Sequence, residues 1–246
     1  MAYEAYLQAA TEALARVNET QGPNITAAAR TVANAIASQQ SIYSFGATHS
    51  FITTEELVYR TGGLMLINPI YPHGMNLSVR PMTATSRMER VLGLGTELLA
   101  ASPAKEGDVL FLTSTSGRNA VTIDMAIEAR GRSITTIGIT SLSYSDGVSS
   151  RHPSGKKLSD LCDILIDNCA PFGDAAVQVG DFLQKVGPVS SITGCAIVNS
   201  IVAEVVQNLL AKGIEPPVFV SANLDGGDEW NARLLRENRD RIHYMD

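Results

Sequence analysis

The stretch VLFLTSTSGRNAVTIDMAIEAR, residues 109–130, indicates the fold class of this chain more clearly than any other. Its continuous apolar run, Val109–Thr113, predicts a strand covered on both faces, as in a parallel sheet. The next six residues, Ser114–Asn119, predict a turn, and Ala120–Arg130 has the spacing of a helix. A strand that passes through a short turn into a helix is the repeating unit of α/β sheets with helices on both faces.

The turn in this stretch is rich in hydrogen-bond donors. A helix that begins directly after it leaves free backbone N–H groups, and the helix dipole favours an anion beside them. Ser114 and Ser116 add two hydroxyl donors, and Gly117 permits a ligand to approach the backbone closely. The pattern predicts a phosphate-binding turn without lysine; an ordinary loop with a serine helix cap is the alternative.

A second segment repeats this arrangement nearer the N-terminus. Ser41–Gly46 indicates a short strand, Ala47–Ser50 a turn of small residues, and Phe51–Thr61 a helix that carries Glu55 and Glu56. The carboxyl ends of parallel strands meet at one edge of a sheet, where open α/β sheets bind ligands. The two turns together therefore predict one site for an anionic small molecule.

The whole pattern predicts one domain, residues 1–246. Helical spacing up to Thr20 and over Asn24–Ser38 predicts a helical pair within residues 1–40 that packs on it. Strands and helices then alternate, which predicts a three-layer α/β/α fold with a five-stranded, mostly parallel sheet. The further predicted elements are strands at Gly63–Asn68, Ile134–Thr140, Asp163–Asp167 and Pro217–Val220, helices around Met88–Leu99, Val189–Leu210 and Asp228–Arg241, and long loops at 69–85 and 141–157.

The composition restricts the classes of partner. With 25 acidic and 19 basic residues the net charge is −6, so no basic surface indicates nucleic acid or anionic lipid as a partner. The three cysteines have no CxxC spacing, so neither a metal site nor a disulfide framework is predicted. The N-terminus lacks a signal-peptide pattern, and no apolar run approaches the roughly 18 residues of a membrane span. We therefore expect a cytoplasmic protein.

No cofactor is predicted. The first turn lacks the GxGxxG pattern of dinucleotide sites, and the strand Gly63–Asn68 ends without an acid to hold a ribose. The serines of the second turn lack the GxSxG pattern of serine hydrolases.

The turn Ser114–Asn119 resembles the SxSGxT phosphate loop of the sugar isomerase (SIS) domain family, with Asn119 at the position of the last threonine. Further motifs resemble one bacterial subgroup that is itself similar to phosphoheptose isomerases. These motifs cover nearly the whole chain and lie at Phe45–Gly63, Ser150–Lys156, Asp167–Ala175 and Ser221–Asn231. The resemblance implies a flavodoxin-like or Rossmann-like SIS fold and a sugar-phosphate ligand.

The candidate site residues lie on the two turns and on the loop 141–157. The expected phosphate and sugar ligands are Ser50, Ser114, Thr115, Ser116, Gly117, Arg118, Asn119 and Lys156. Glu56 matches the catalytic base of phosphoheptose isomerases by motif, with Glu55 as the alternative; adjacent helix residues point about 100° apart, so both cannot face one pocket. His49 and His152 are the other catalytic candidates, and for each a structural role is the alternative.

The resemblance implies an aldose–ketose sugar-phosphate isomerase, or a related lyase that cleaves an ether, acting by proton abstraction next to a carbonyl. The alternative is a non-catalytic sugar-phosphate sensor or regulator. The segment Val189–Leu210 has little polar face, which predicts a homodimer or larger homo-oligomer. SIS proteins commonly pair, so His152 or Arg151 is expected to reach the ligand of a neighbouring subunit.

Overall fold

Two helices precede the sheet. The computed structural model describes residues 1–245 and begins with α1, Ala2–Thr20, followed by α2, Gly22–Ala37. Helix α2 begins two residues before the predicted Asn24, because Pro23 lacks a backbone N–H and fits the first turn of a helix. The predicted helical pair is confirmed.

The central sheet contains five strands, all of them parallel. They are β1 Ile42–Gly46, β2 Ile67–Pro69, β3 Val109–Thr113, β4 Thr135–Thr140 and β5 Ile164–Asp167. Their order across the sheet is β2-β1-β3-β4-β5. Gly46 pairs with Thr113, so β1 and β3 end side by side. The predicted five-stranded sheet is confirmed, and its order is flavodoxin-like.

Helices cover both faces of the sheet. Among the helices that pack on it, α5 (Leu94–Ala100) and α6 (Ala120–Gly131) lie on one face, and α2 with α8 (Ser190–Ala211) lies on the other. Side chains of β1 point to opposite faces of the sheet and contribute to a hydrophobic core on each face. Ile42 packs with α2 and α8, whereas Phe45 packs with α5 and α6. The three predicted layers therefore arise from strands that are apolar on both faces.

Helix α8 is the longest element of the chain. Within residues 1–245 it is the one helix whose length and composition would suffice to cross a membrane, so the expectation that no apolar run approaches that length was wrong. Buried core helices of water-soluble proteins can meet the same criterion of length and composition. Here Ile197, Ile201 and Val205 are buried, and the helix packs against α2.

Two predicted helices are shorter than expected. The helix after β1 is a 3-10 turn, Thr48–Phe51, followed by α3, Ile52–Leu57. It ends there because Val58 is extended and Tyr59 has a positive φ of 49°. The helix predicted around Met88–Leu99 is two helices, α4 (Thr83–Met88) and α5, separated by Gly93 in the left-handed region.

Other differences lie in short elements. Within the loop 141–157 the structure has α7, Leu142–Asp146, and the predicted strand Pro217–Val220 is reduced to one bridge between Leu64 and Val218. The antiparallel pair of β6, Ala175–Val177, and β7, Val186–Pro188, was not predicted, because three residues are too few to show a period. The chain closes with α9, Gly227–Glu237, and a 3-10 turn, Arg239–Arg241.

Candidate functional site

The strand order reverses direction between β1 and β3. The chain goes from β1 outward to β2 and then returns to place β3 on the other side of β1. In open α/β sheets, ligands bind at such a switch point, beside the carboxyl ends of the two strands. Both predicted turns lie there; we call residues 47–51 turn one and residues 114–119 turn two. The hydroxyl of Thr53 donates to that of Thr113 at 2.9 Å and ties α3 to the end of β3.

Turn one is tightly folded. A Cβ atom on Gly46 would lie 2.3 Å from the carbonyl oxygen of Ser50, so only glycine fits there. Thr48 has a positive φ of 52°, and its amide donates to the carbonyl of Met75 at 2.9 Å. Ser50 is half-buried, whereas His49 is exposed to solvent. The structure therefore places Ser50 at the switch point and His49 on the outer side of the turn.

The carbonyl groups of turn two face the protein. The carbonyl oxygen of Ser114 accepts hydrogen bonds from the Thr140 hydroxyl at 2.7 Å and from the Gly117 amide at 3.1 Å. That of Thr115 accepts from the Ser141 amide at 3.0 Å. Gly117 has a positive φ of 63°, which glycine adopts without strain. This backbone path leaves donor groups, rather than acceptors, for a ligand.

Four donors of turn two have no hydrogen-bond partner within residues 1–245. This holds for the backbone amides of Thr115 and Ser116 and for the hydroxyls of Ser114 and Ser116. Asn119 directly precedes α6, so the positive end of that helix dipole faces the same turn. Unpaired N–H and O–H groups at a helix N-terminus form the environment that binds a phosphate.

Asn119 connects turn two to a residue that the sequence did not indicate. Its side-chain NH2 donates to the carboxylate of Glu89 at 2.7 Å, and its side-chain oxygen accepts from the Arg151 guanidinium at 2.9 Å. The amide of Val121 also donates to the carbonyl of Glu89, at 3.1 Å. Glu89 follows α4 and lies 30 residues from Asn119 along the chain, so no spacing rule relates the two.

Glu89 lies between the two turns and is half-buried. Burial raises the pKa of its carboxyl above the usual range of glutamate. Hydrogen bonds from Asn119 and Thr48, and the positive charges of Arg151 and Arg90, oppose that shift without cancelling it. A carboxylate with a raised pKa beside a ligand site is the arrangement expected of a general base.

Three arginines form a group near this carboxylate: the charges of Arg151 and Arg90 act on Glu89, and that of Arg118 acts on Arg151. Burial lowers the pKa of Arg151, and the nearby charges of Arg118 and Arg90 lower it further. A guanidinium stays protonated in proteins, so the three residues form a positive cluster in a chain whose net charge is −6. Arg118 also donates weakly to the Ser149 hydroxyl, at 3.4 Å. The sequence indicated Arg118 but did not indicate that three arginines lie together. Such a positive cluster attracts anions and raises their local concentration.

The loop that carries Arg151 is held against the domain. The amide of Arg151 donates to the carbonyl of Arg118 at 2.9 Å, and Nε2 of His152 lies 3.0 Å from the Asp124 carboxylate on α6. Lys156 is exposed, and its backbone carbonyl accepts from the Ser150 hydroxyl at 2.7 Å, whereas Lys157 is half-buried and donates to the carbonyl of Ser145 at 2.6 Å. Arg151 and His152 thus contact turn two and α6 of their own chain.

The two adjacent glutamates of α3 diverge, as the helix geometry predicts. Glu55 is exposed. Glu56 pairs with Arg60 and accepts a hydrogen bond from the Asn199 side chain of α8 at 2.6 Å. Glu56 as the base stays a prediction, with the qualification that its carboxylate is already engaged by two protein groups.

Two other motifs of the chain have structural roles. The carboxylate of Asp174 accepts hydrogen bonds from the amides of Val189 and Ser190 at 3.1 and 2.8 Å and from the Ser190 hydroxyl at 2.6 Å, so it caps α8. The side chain of Asn231 bonds both the N–H and the C=O of Val220, at 3.1 and 2.9 Å. Within residues 1–245, no group of three His, Cys, Asp or Glu side chains is placed to hold a metal ion.

Comparison with known proteins agrees with this architecture. The model of the SIS domain matches residues 5–141. A UPF0309 protein of Shouchella clausii is 49% identical over 218 residues, which are 89% of each chain. The phosphoheptose isomerase from Neisseria gonorrhoeae has a similar fold at 14% identity and a TM-score of 0.56, covering 83% of this chain and 97% of that one.

The NanR protein of Vibrio vulnificus, in a structure complexed with ManNAc-6P, is also similar in fold. The TM-score is 0.52 at 17% identity, and the match covers 95% of this chain and 68% of that one. Similarity at such low identity concerns the fold alone. The family model and the relatives of high identity together show that this chain belongs to the SIS domain family, in the group of bacterial UPF0309 proteins.

Proposed function

We propose that the protein binds a sugar phosphate at the switch point, with the phosphate on turn two. The observation that carries the proposal is the set of unpaired donors on Thr115, Ser116 and Ser114 beside the arginine cluster. Each hydrogen bond to a charged group contributes about 1.5–3 kcal/mol, so several such donors suffice to hold a phosphate. Arg151 donates one N–H to Asn119 and has further N–H groups for an anion.

The reaction we propose is aldose–ketose isomerisation, or an ether cleavage that begins with the same step. The Glu89 carboxylate takes the proton from the carbon next to the carbonyl and returns it to the former carbonyl carbon, while the hydroxyl proton of the first carbon passes to the former carbonyl oxygen. Its raised pKa makes it a stronger base than an ordinary glutamate, and a bound phosphate dianion would raise the pKa further. The nearby arginines would stabilise negative charge that develops on the carbonyl oxygen.

Glu56 is the alternative base. The motif supports it, but its carboxylate would have to leave Arg60 and Asn199 to reach a sugar carbon. The hydrogen bonds to the Glu89 carboxylate come from the neutral side chains of Asn119 and Thr48, and Glu89 lies beside both turns, which supports it over Glu56.

The test has two steps. A thermal-shift screen over sugar phosphates, with unphosphorylated sugars as the control, identifies ligands; NMR in D2O then measures deuterium exchange at the carbon next to the carbonyl. Stabilisation by phosphorylated sugars and exchange in at least one of them are expected. If no sugar phosphate stabilises the protein, turn two is not a phosphate site.

A non-catalytic sensor is the second candidate. The Asn119 amide already bonds both Glu89 and Arg151, which gives a preorganised anion site without requiring catalysis. The NanR protein complexed with ManNAc-6P has the same fold, which is compatible with binding alone. Ligands that bind tightly but never exchange deuterium would support the sensor and exclude proton abstraction.

We also propose that two chains pair through α8. Among its half-buried and exposed residues, one set recurs at alternating spacings of four and three, a pattern that packs two helices together. The set is Ile192, Ala196, Asn199, Ala203, Val206 and Leu210. Light scattering at micromolar concentration should give at least twice the 26.2 kDa of one chain; a single-chain mass would exclude the pair.

A further inference from the structure

Helix α6 holds the same two neighbouring segments at two points. At its N-terminal end, the side chain of Asn119 forms hydrogen bonds with Glu89 and Arg151. Five residues further on, Asp124 bonds the same two segments, at Gly93, four residues after Glu89, and at His152, next to Arg151. The proposed base and the proposed phosphate-binding arginine are therefore each fixed twice to one helix.

Asp124 shares its carboxylate between the two segments. The side chain is buried, with 7% of it exposed. One oxygen accepts a hydrogen bond from the Gly93 amide at 2.7 Å, and the other lies 3.0 Å from Nε2 of His152. A Cβ atom on Gly95 would lie 1.9 Å from the Val121 carbonyl, so the segment after Gly93 also packs directly on α6. A buried carboxylate needs such partners to offset its lost hydration.

Both ring nitrogens of His152 are engaged by the protein. The backbone amide of Ser154 donates to Nδ1 at 3.1 Å, and an amide N–H can act only as a donor. Nδ1 is therefore the acceptor, and the proton of the neutral imidazole lies on Nε2, facing Asp124. With both nitrogens occupied, the ring holds the loop rather than facing a ligand.

We propose that Asp124 and His152 are positioning residues, which place Glu89 through Gly93 and Arg151 through the loop so that both converge on Asn119. The roles of Glu89 and Arg151 in this proposal rest on the proposed function. The contacts predict a hierarchy of their own: Asp124 holds both segments in place, and His152 holds only the loop.

The hierarchy can be tested without any ligand, by hydrogen–deuterium exchange with mass spectrometry. In Asp124→Ala, backbone amides in residues 86–95 and 147–157 should both exchange severalfold faster. In His152→Ala, only residues 147–157 should do so. Glu128→Gln, one turn further along α6, is the matched control and should leave both segments unchanged.

A conservative variant separates the two bonds of Asp124 and guards against loss of the fold. In Asp124→Asn, the side-chain oxygen still accepts from the Gly93 amide, while the NH2 group meets the Nε2 proton of His152. Faster exchange is therefore expected in residues 147–157 alone. Unchanged exchange in both segments for the Asp124 variants, or equal loosening of both by His152→Ala, would overturn the proposal.

The purpose of the pair is tested with inorganic phosphate as the probe. His152→Ala should weaken phosphate binding in the unmodified background and have no further effect in the Arg151→Met background, because its action passes through Arg151. An equal loss in both backgrounds would contradict positioning through that arginine. If the unmodified protein binds no phosphate, the proposed function fails, whereas the exchange experiment still decides the hierarchy.

Discussion

Two acidic residues near the switch point have different surroundings. Glu56 on α3 belongs to a recognisable motif, lies beside α8 and is paired with Arg60 and Asn199. Glu89 belongs to no motif noticed in the sequence, yet it is half-buried between the two turns and its pKa is raised. The reactivity of a carboxylate depends on burial and on its neighbours, so the residue with the weaker sequence signal has the more suitable environment.

Replacing each acid by its amide gives the largest expected contrast. Glu89→Gln should lower the rate of deuterium exchange into a bound sugar phosphate by about 10²- to 10⁴-fold, the usual contribution of a positioned base, while binding persists. Glu56→Gln should change the rate only slightly, and Glu55→Gln serves as the exposed control. Exchange rates measured by NMR decide between the two acids. A larger loss of exchange in Glu56→Gln would identify Glu56 as the base.

The two turns can be compared in the same way through phosphate affinity. Each of Ser114→Ala and Ser116→Ala removes a donor to an anion, so affinity should fall roughly tenfold or more per substitution. Ser50→Ala on turn one should cost less, because the unpaired backbone amides of Thr115 and Ser116 and the N-terminus of α6 all belong to turn two. Titration calorimetry measures the three affinities. Equal losses would mean that both turns share the phosphate, and no loss in the double variant would remove turn two from the site.

The raised pKa of Glu89 predicts a dependence of stability on pH. A carboxyl whose folded pKa is raised contributes stability below its unfolded pKa of about 4.3, and that contribution is lost as pH rises through the folded value. Glu89→Gln, which stays neutral, should therefore have a higher Tm than the unmodified protein at pH 7, with the difference shrinking towards pH 4. Thermal unfolding between pH 4 and pH 7 checks the sign of this Tm difference, with Glu55→Gln as the control. A lower Tm for Glu89→Gln at pH 7 would contradict it.

The pair between Glu56 and Arg60 should have the smallest effect. It is partly exposed, with 22% and 46% of the side chains accessible, and such pairs contribute about 0.2–1 kcal/mol. Arg60→Met should lower the free energy of unfolding by no more than that, as measured by denaturant titration. A cost of several kcal/mol would show that the pair holds α3 in place.

The sheet and the two turns at its carboxyl edge were predictable because they depend on local patterns. The run Val109–Thr113 is apolar throughout and is followed by turn residues and a helical period, which are properties of consecutive residues. The alternation of such units predicts a parallel sheet, and the structure adds the order of its strands. Turn two was located by the same reasoning, including the position of Gly117.

The environment of Glu89 could not be predicted in this way. Its contact with Asn119 joins residues 30 positions apart, and it depends on Gly93 breaking what the spacing predicted as one helix. Hydrogen bonds between distant segments depend on tertiary packing, which leaves no period in the sequence. The charged residues around Met88 gave no signal that one of them faces inward.

The cap on α8 has a consequence for the direction in which a ligand enters. The N-terminal part of α8 packs closely on α3, since a Cβ atom on Gly194 would be 2.8 Å from the Thr53 side chain. The carboxylate of Asp174 neutralises the positive end of that helix, whereas the N-terminal end of α6 carries no acid of its own in its first turn. Of these two helix N-termini, that of α6 therefore keeps the field that favours an anion. We expect a molecule with one negatively charged end to turn that end towards α6 as it approaches.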